Sequence, residues 1–181
     1  MENRKTKFVI LGLLSIEPLS GYDIKKFIDR SISHFWSESN GQLYPTLNKL
    51  LNEKLIVLDR IEQKGKKVSH LYSITDQGRS ALESWLAEKT KGKSTHRDEE
   101  LLKLFFGKNV SPEVCLELLL CRKTRVEEKL EEYKTIQDEI KKYASSPHYR
   151  FWLFNLKNGV YQSEAELRWC LECIQELKRG G

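Results

Sequence analysis

The sequence predicts a mainly α chain, with an N-terminal winged helix-turn-helix domain followed by a C-terminal domain of long antiparallel helices. Three observations carry this. Leu43, Leu47, Leu50 and Leu51 recur at steps of four and three, which gathers them on one face of a short helix. Two apolar runs, Leu55 to Ile61 and Leu71 to Thr75, follow as strands joined by a basic turn. Beyond it, Ser111-Pro112-Glu113 and Ser146-Pro147 are helix-start signals, each opening a long stretch with a heptad-like seam.

A chain of 181 residues, 39% hydrophobic and 31% charged, accommodates one large domain or two small ones. The division predicted is 1–90 for the winged domain, 91–97 for a linker and 98–181 for the helical domain. The linker contains Lys91 to Thr95, charged and without an apolar residue. The formal charge is +5, but 14 basic face 11 acidic residues in 1–90, and 17 face 15 in 91–181. Neither half is basic overall, so a nucleic-acid reading must rest on local placement. Met1 to Lys7 is basic and Phe8 to Ile16 largely apolar, yet Glu17 and Pro18 follow at once and no small-x-small cleavage site appears. No run approaches the roughly 20 apolar residues that span a bilayer. A cytoplasmic protein without a membrane partner is expected.

In order, Phe8 to Ile16 forms a first helix, apolar nearly all round and ended by Pro18. Ser20 caps a second helix that starts at Gly21, with Asp23 at capping-box spacing and apolar members continuing to Trp36. Ser39 or Asn40 caps the third helix, 41–53, and Pro45 falls within its first turn. Its face opposite the leucines carries Gln42, Thr46 and Lys49, with Tyr44 and Asn48 at the flank. In the first strand, Leu55, Val57 and Asp59 share one face, and Ile56, Leu58 and Arg60 the other. Six to eight residues then make a broad turn, Gln63 to Ser69, carrying Lys64, Lys66 and Lys67 around Gly65. Asp76 opens a fourth helix with Ala81, Leu82, Trp85 and Leu86 on its apolar face.

A brief helix, Asp98 to Phe106, ends at Gly107. The next is predicted to run from Ser111 to Tyr143, and the last to about Lys178. Val126, Leu130, Tyr133, Ile136, Ile140 and Tyr143 make one seam, and Leu153, Leu156, Val160, Leu167, Cys170, Ile174 and Leu177 the other. Tyr149, Trp152, Phe154, Tyr161 and Trp169 exceed what one seam needs, so a homodimer is expected. Its interface is placed on Leu153, Leu156, Val160, Leu167, Trp169 and Ile174.

No catalytic constellation is present. His34, His70, His96 and His148 make no ligand or triad spacing, so neither a metal nor a cofactor is expected. Cys170 and Cys173 share a helix face at C-x-x-C spacing, without a second pair. They read as small apolar fillers of a helical seam, with a thiol-based sensor as the alternative.

Leu19-Ser20-Gly21-Tyr22-Asp23-Ile24, Leu43-Tyr44-Pro45-Thr46-Leu47 with Lys49-Leu50, Tyr72 to Thr75 and Asp76-Gln77-Gly78-Arg79 resemble the PadR family of bacterial transcriptional regulators. Leu102 to Phe106 and Glu164 to Trp169 extend the resemblance into the second domain. It implies a dimeric winged-helix repressor or regulator, often responsive to a small aromatic or toxic compound. Three positions depart from the family pattern. Lys54 stands where a glycine usually ends the recognition helix, and Lys66 and Lys67 stand where relatives often carry Arg.

The function expected is therefore DNA binding as a homodimeric repressor released by a small ligand. Gln42, Thr46 and Lys49 address base edges or nearby phosphates in the major groove, and Tyr44 donates its hydroxyl to a phosphate or packs against the wing. Lys64, Lys66 and Lys67 neutralise flanking phosphates, and a two-fold dimer requires a roughly palindromic double-stranded operator. Phe8, Phe35, Trp36, Trp152 and Trp169 are candidates to line a slot for a flat aromatic effector. A winged-helix module for an acidic protein partner is the other alternative.

Overall fold

The computed structural model describes residues 5–32, 36, 40–64, 67–89 and 98–179, and the chain divides into two compact units, Met1–Gly92 and Lys93–Gly181. The predicted linker 91–97 lies outside the described residues.

In the first unit, α1 (Thr6–Leu14), β1 (Leu19–Ser20), α2 (Gly21–Phe27), α3 (Asn40–Asn52), β2 (Ile56–Lys64), β3 (Lys67–Ile74) and α4 (Asp76–Ala87) follow in order. Ile10, Leu11 and Leu14 of α1 form its core with Ile24, Leu43, Leu47, Leu50 and Ile56. The leucine face read from the sequence is thus the face α3 buries. Helix α1 ends four residues ahead of Pro18: the Ser15 hydroxyl donates to the Gly12 carbonyl at 2.7 Å, and the chain turns away with Ile16 exposed.

The two-residue strand β1 has no sequence signature, being too short to alternate. It pairs antiparallel with β3, Leu19 opposite Tyr72, giving a three-stranded sheet of order β1-β3-β2. Ser20 then caps α2 as predicted. Its Oγ accepts from the Asp23 N–H at 3.2 Å and donates to Asp23 Oδ2 at 2.5 Å. The regular helix expected through Trp36 instead widens into a π turn over Ile28–Ile32.

Helix α3 begins early enough that Pro45 lies in its second turn rather than its first. Its missing N–H would have served the carbonyl of Gly41, which lies on the exposed side of the helix. At the other end Lys54 adopts φ 57°. Leu55 N–H bonds to the Leu50 carbonyl and Lys54 N–H to the Leu51 carbonyl, both at 3.0 Å, so the helix closes in a Schellman motif without glycine.

The wing is tighter than the six-to-eight-residue turn expected. β2 and β3 stay paired to Lys64 opposite Lys67, because ladder bonds belong to the backbone and continue past the last apolar residues. An extra residue, Asp59, bulges from β2 between Leu58 and Arg60. Leu58 faces Tyr72 and Ile61 faces His70, so the bulge moves Arg60 off the face of Ile56 and Leu58 and puts Ile61 there. Thr75 caps α4 through the Gly78 N–H at 3.0 Å. Leu82 and Trp85 turn inward, but Leu86, predicted on the same face, is 65% exposed at the helix end.

The second unit contains α5 (Glu99–Phe105), a short 3-10 turn (Gly107–Asn109), α6 (Pro112–Lys141) and α7 (Tyr149–Arg179). The two long helices form an antiparallel hairpin. Cys115, Leu119, Val126 and Tyr133 of α6 are buried, as are Leu156, Gly159, Ser163, Cys170 and Ile174 of α7. Gly159 admits the Tyr133 ring: a Cβ on Gly159 would fall 2.5 Å from the phenol oxygen. Tyr143, predicted in the seam, is exposed at the turn. Among the described residues no helix is long and apolar enough to cross a membrane.

Candidate nucleic-acid interface

The outward arc of α3 follows from the burial of its leucines. Gln42, Tyr44, Asn48 and Lys49 are exposed along it. Thr46 is not. It is 6% exposed, and its hydroxyl donates to the Gln42 carbonyl at 2.7 Å, one turn back. The expectation that Thr46 faces outward with Gln42 and Lys49 is corrected, since at 100° per residue it falls on the flank of the leucine face. Lys49 lies 3.8 Å from Glu53, which also receives Lys7 Nζ at 3.3 Å. The Lys49 contact is solvent-exposed and loose, which leaves the ammonium available to a phosphate.

Tyr44 is half exposed and seated against α2. A Cβ placed on Gly21 would meet the Tyr44 ring at 2.8 Å. The wing brings Lys64 and Lys67 opposite each other at its last pair; Lys66 lies outside the described residues. Beside the tip, Leu58, Ile61 and Val68 are exposed, an apolar face that sequence reading missed because the bulge at Asp59 creates it.

The aromatic candidates are divided between the two units. Phe8 stacks on Trp85 at 4.4 Å, with Lys7 Nζ 5.8 Å from its ring, and Lys5 Nζ stands 5.6 Å from Trp36. Phe35 lies outside the described residues. Trp152 packs at the hairpin turn against His148 and Tyr143, and Trp169 lies beneath Arg122 at 5.6 Å. Seventeen steps of continuous helix separate those two tryptophans, about 25 Å, so one chain cannot bring both onto one small ligand. A shallow concavity on α6 is lined by Glu128, Glu131, Glu132 and Asp138, with Lys134 and Thr135, and is unsuited to an aromatic anion.

Arg122 escaped sequence reading, because nothing in its spacing marks it. It holds Asp98 at 2.7 Å and Glu100 at 3.2 Å from α5, and Glu166 from α7, while Arg125 also takes Glu100. The Leu101 N–H that Asp98 caps, and then Arg122, hold the Asp98 carboxyl below its usual range. This polar clamp fastens a helix that buries none of its own residues. Leu101, Leu102, Phe105 and Phe106 of that stretch are exposed, Phe105 at 81%.

The predicted interchain residues divide. Leu156 and Ile174 are buried within the hairpin itself, so they are not available to a second chain, whereas Leu153, Val160, Leu167 and Trp169 are half-buried. Phe151, Phe154, Tyr161 and Leu171 are the exposed apolar residues of α7. Cys170 is fully buried and Cys173 half-buried, and burial pushes both thiols above their usual range, away from the reactive thiolate.

Residues 10–84 match the family described as Transcriptional regulator PadR-like family, and residues 96–178 the one described as Virulence activator alpha C-term. Over 103 residues the chain is 38% identical to the negative transcriptional regulator PadR of Bacillus subtilis, a match spanning 57% of this chain and 57% of that relative. Its fold is similar to the crystal structure of B. subtilis PadR in complex with operator DNA, with TM-score 0.83 and 28% identity, covering 94% of this chain and 98% of that one. The same relative in complex with p-coumaric acid gives TM-score 0.80 at 26% identity, covering 97% of each chain. The Vibrio cholerae virulence activator AphA gives 0.73 at 28% identity, covering 97% of this chain and 99% of that one. These are regulators of transcription, not enzymes.

Proposed function

We propose that the chain, whose residues 10–84 match the PadR-like family of transcriptional regulators, is a homodimeric repressor that binds a roughly palindromic operator and is released by a small aromatic ligand. One observation carries the DNA reading: a helix locked into the core by Leu43, Leu47 and Leu50 turns Gln42, Tyr44 and Lys49 to solvent beside a two-stranded wing. A helix so held enters the major groove as a rigid body, and the wing lysines Lys64, Lys66 and Lys67 neutralise flanking phosphates. Thr46 supports the helix rather than reading bases. The operator complex of the B. subtilis relative supports the DNA reading as such.

Dimerisation covers the exposed apolar residues of α5 and α7, with Phe105, Phe106, Phe151 and Phe154 as anchors. The effector reading is supported by the p-coumaric acid complex of the same relative. Phe8 beside Lys7, and Trp36 beside Lys5, each pair an aromatic face with a cation, a chemistry suited to an aromatic carboxylate. Such a ligand releases DNA only by differential affinity for two states of the dimer.

The test is binding to DNA from upstream of the gene, or to a sequence selected from random DNA, titrated with salt. A discrete complex with log K falling steeply against log salt is expected, and Ala at Lys66 and Lys67 flattens that slope by about 1 for each phosphate no longer neutralised. Failure of selection to enrich any sequence would sink the reading.

A further inference from the structure

We propose that Gly21 is a positioning residue for DNA recognition: its missing side chain is the seat that fixes Tyr44 on the outward arc of α3. The inference rests on the DNA-binding reading above and adds a residue that faces no DNA itself.

Gly21 is the first residue of α2 and is buried. Its φ lies outside the left-handed region, so the backbone does not require glycine. What requires it is space. A Cβ at this position would stand 2.8 Å from Tyr44 Cε1, 3.2 Å from Leu47 Cδ1 and 3.5 Å from Tyr44 Cδ1. The bare Cα is one wall of the seat, and the other side of the ring is open to water, since Tyr44 is 50% exposed.

Consider which group yields when a methyl is added. Leu47 is 2% exposed and held in the core. The start of α2 is anchored by the Ser20 cap and by the pairing of β1 with β3. Tyr44 alone has somewhere to go, and its ring swings toward solvent about two soft torsions. The methyl also gains helix propensity over glycine, which offsets part of the packing that the displaced ring gives up. Substitution at Gly21 therefore moves a side chain on the recognition surface while leaving the domain folded.

The experiment is a double-mutant cycle on the full chain, with affinity for a selected operator and thermal midpoint measured for wild type, Gly21→Ala, Tyr44→Ala and the double variant. Each single change is expected to weaken binding about tenfold, and the double variant to bind no worse than Tyr44→Ala, because a ring already absent cannot be displaced. The midpoint of Gly21→Ala is expected within about 4 °C of wild type. Several results overturn the proposal: wild-type affinity in Gly21→Ala, a multiplied loss near a hundredfold in the double variant, or a fall in midpoint that accounts for the weakened binding. Operator binding left intact by Tyr44→Ala overturns it while upholding the DNA reading. Wild-type protein that binds no DNA overturns both.

Discussion

Gly78 lies so close beneath the carbonyl of Leu55 that a Cβ on it would stand 2.1 Å from the oxygen. That oxygen also accepts the Thr75 N–H at 3.1 Å, and Thr75 Oγ1 donates to the Lys54 carbonyl at 2.8 Å. The end of α3, the end of β3 and the start of α4 thus meet at one backbone corner. Both sides of the clash are backbone, so no side-chain rotation relieves it. Gly78→Ala is expected to destabilise the winged unit by about 2–3 kcal/mol, read by urea denaturation. A change below about 0.5 kcal/mol would show that the corner relaxes freely.

Lys54 gives the opposite sign. At φ 57° it occupies the left-handed region with a β-carbon, and its hydrogen bonds there are made by backbone groups that any residue supplies. Lys54→Gly is expected to stabilise the unit by about 0.5–1 kcal/mol, reduced somewhat by the greater freedom of glycine in the unfolded chain. A lower urea midpoint in the glycine variant would contradict this.

Much of the fold was legible because burial leaves a period. Leu43, Leu47 and Leu50 named the inner face of α3, and Ser111-Pro112 marked the start of α6 within a residue. What escaped reading leaves no period. β1 is two residues long, the bulge at Asp59 reverses strand parity, and Arg122 meets its carboxylates only after α5 folds back on the hairpin. Thr46 shows the limit at the site: a polar residue at the edge of an apolar face reads as outward, though its hydroxyl has a carbonyl partner within its own helix. Leu156 and Ile174 erred in the other direction, because a heptad seam looks the same whether its partner is the next helix or a second chain.

The corrected arc separates Thr46 from Lys49 by experiment. Thr46→Val keeps the shape and loses one helix-internal hydrogen bond, so operator affinity is expected within about twofold of wild type and stability within about 1.5 kcal/mol. Lys49→Ala is expected to weaken binding and reduce the salt slope by about 1. Equal losses of affinity from the two changes would return Thr46 to the recognition surface.

The Arg122 clamp predicts a pH dependence. Asp98 is held below its ordinary value, so its contribution is complete above the unfolded carboxylate range, near 4, and is lost as pH falls through the lower folded value. Stability is expected to fall on acidification below about pH 4. Arg122→Met should shallow that limb without abolishing it, because the Leu101 N–H, the larger cause of the shift, still bonds the carboxylate. Thermal midpoints of the two proteins between about pH 2 and pH 7 decide it. Identical acid limbs would mean that the arginine contributes nothing to the shift.

The assembly prediction turns on a side chain that buries little within the single chain. Phe105 is 81% exposed and its ring meets only the edge of Phe106, at 5.0 Å among the described ring contacts, so Phe105→Glu removes little packing within its own unit, and α5 keeps its Asp98 cap and its Arg122 contacts. If a second copy covers that ring, the variant instead buries a carboxylate against an apolar partner, at a cost of several kcal/mol. Sedimentation at micromolar concentration is expected to show wild type as a dimer and Phe105→Glu as a monomer with unchanged helical circular dichroism. Leu156→Ala is the control. Its side chain is buried inside the hairpin, so it is expected to lower the thermal midpoint of a protein that remains dimeric. A dimer that survives Phe105→Glu would move the interface away from α5.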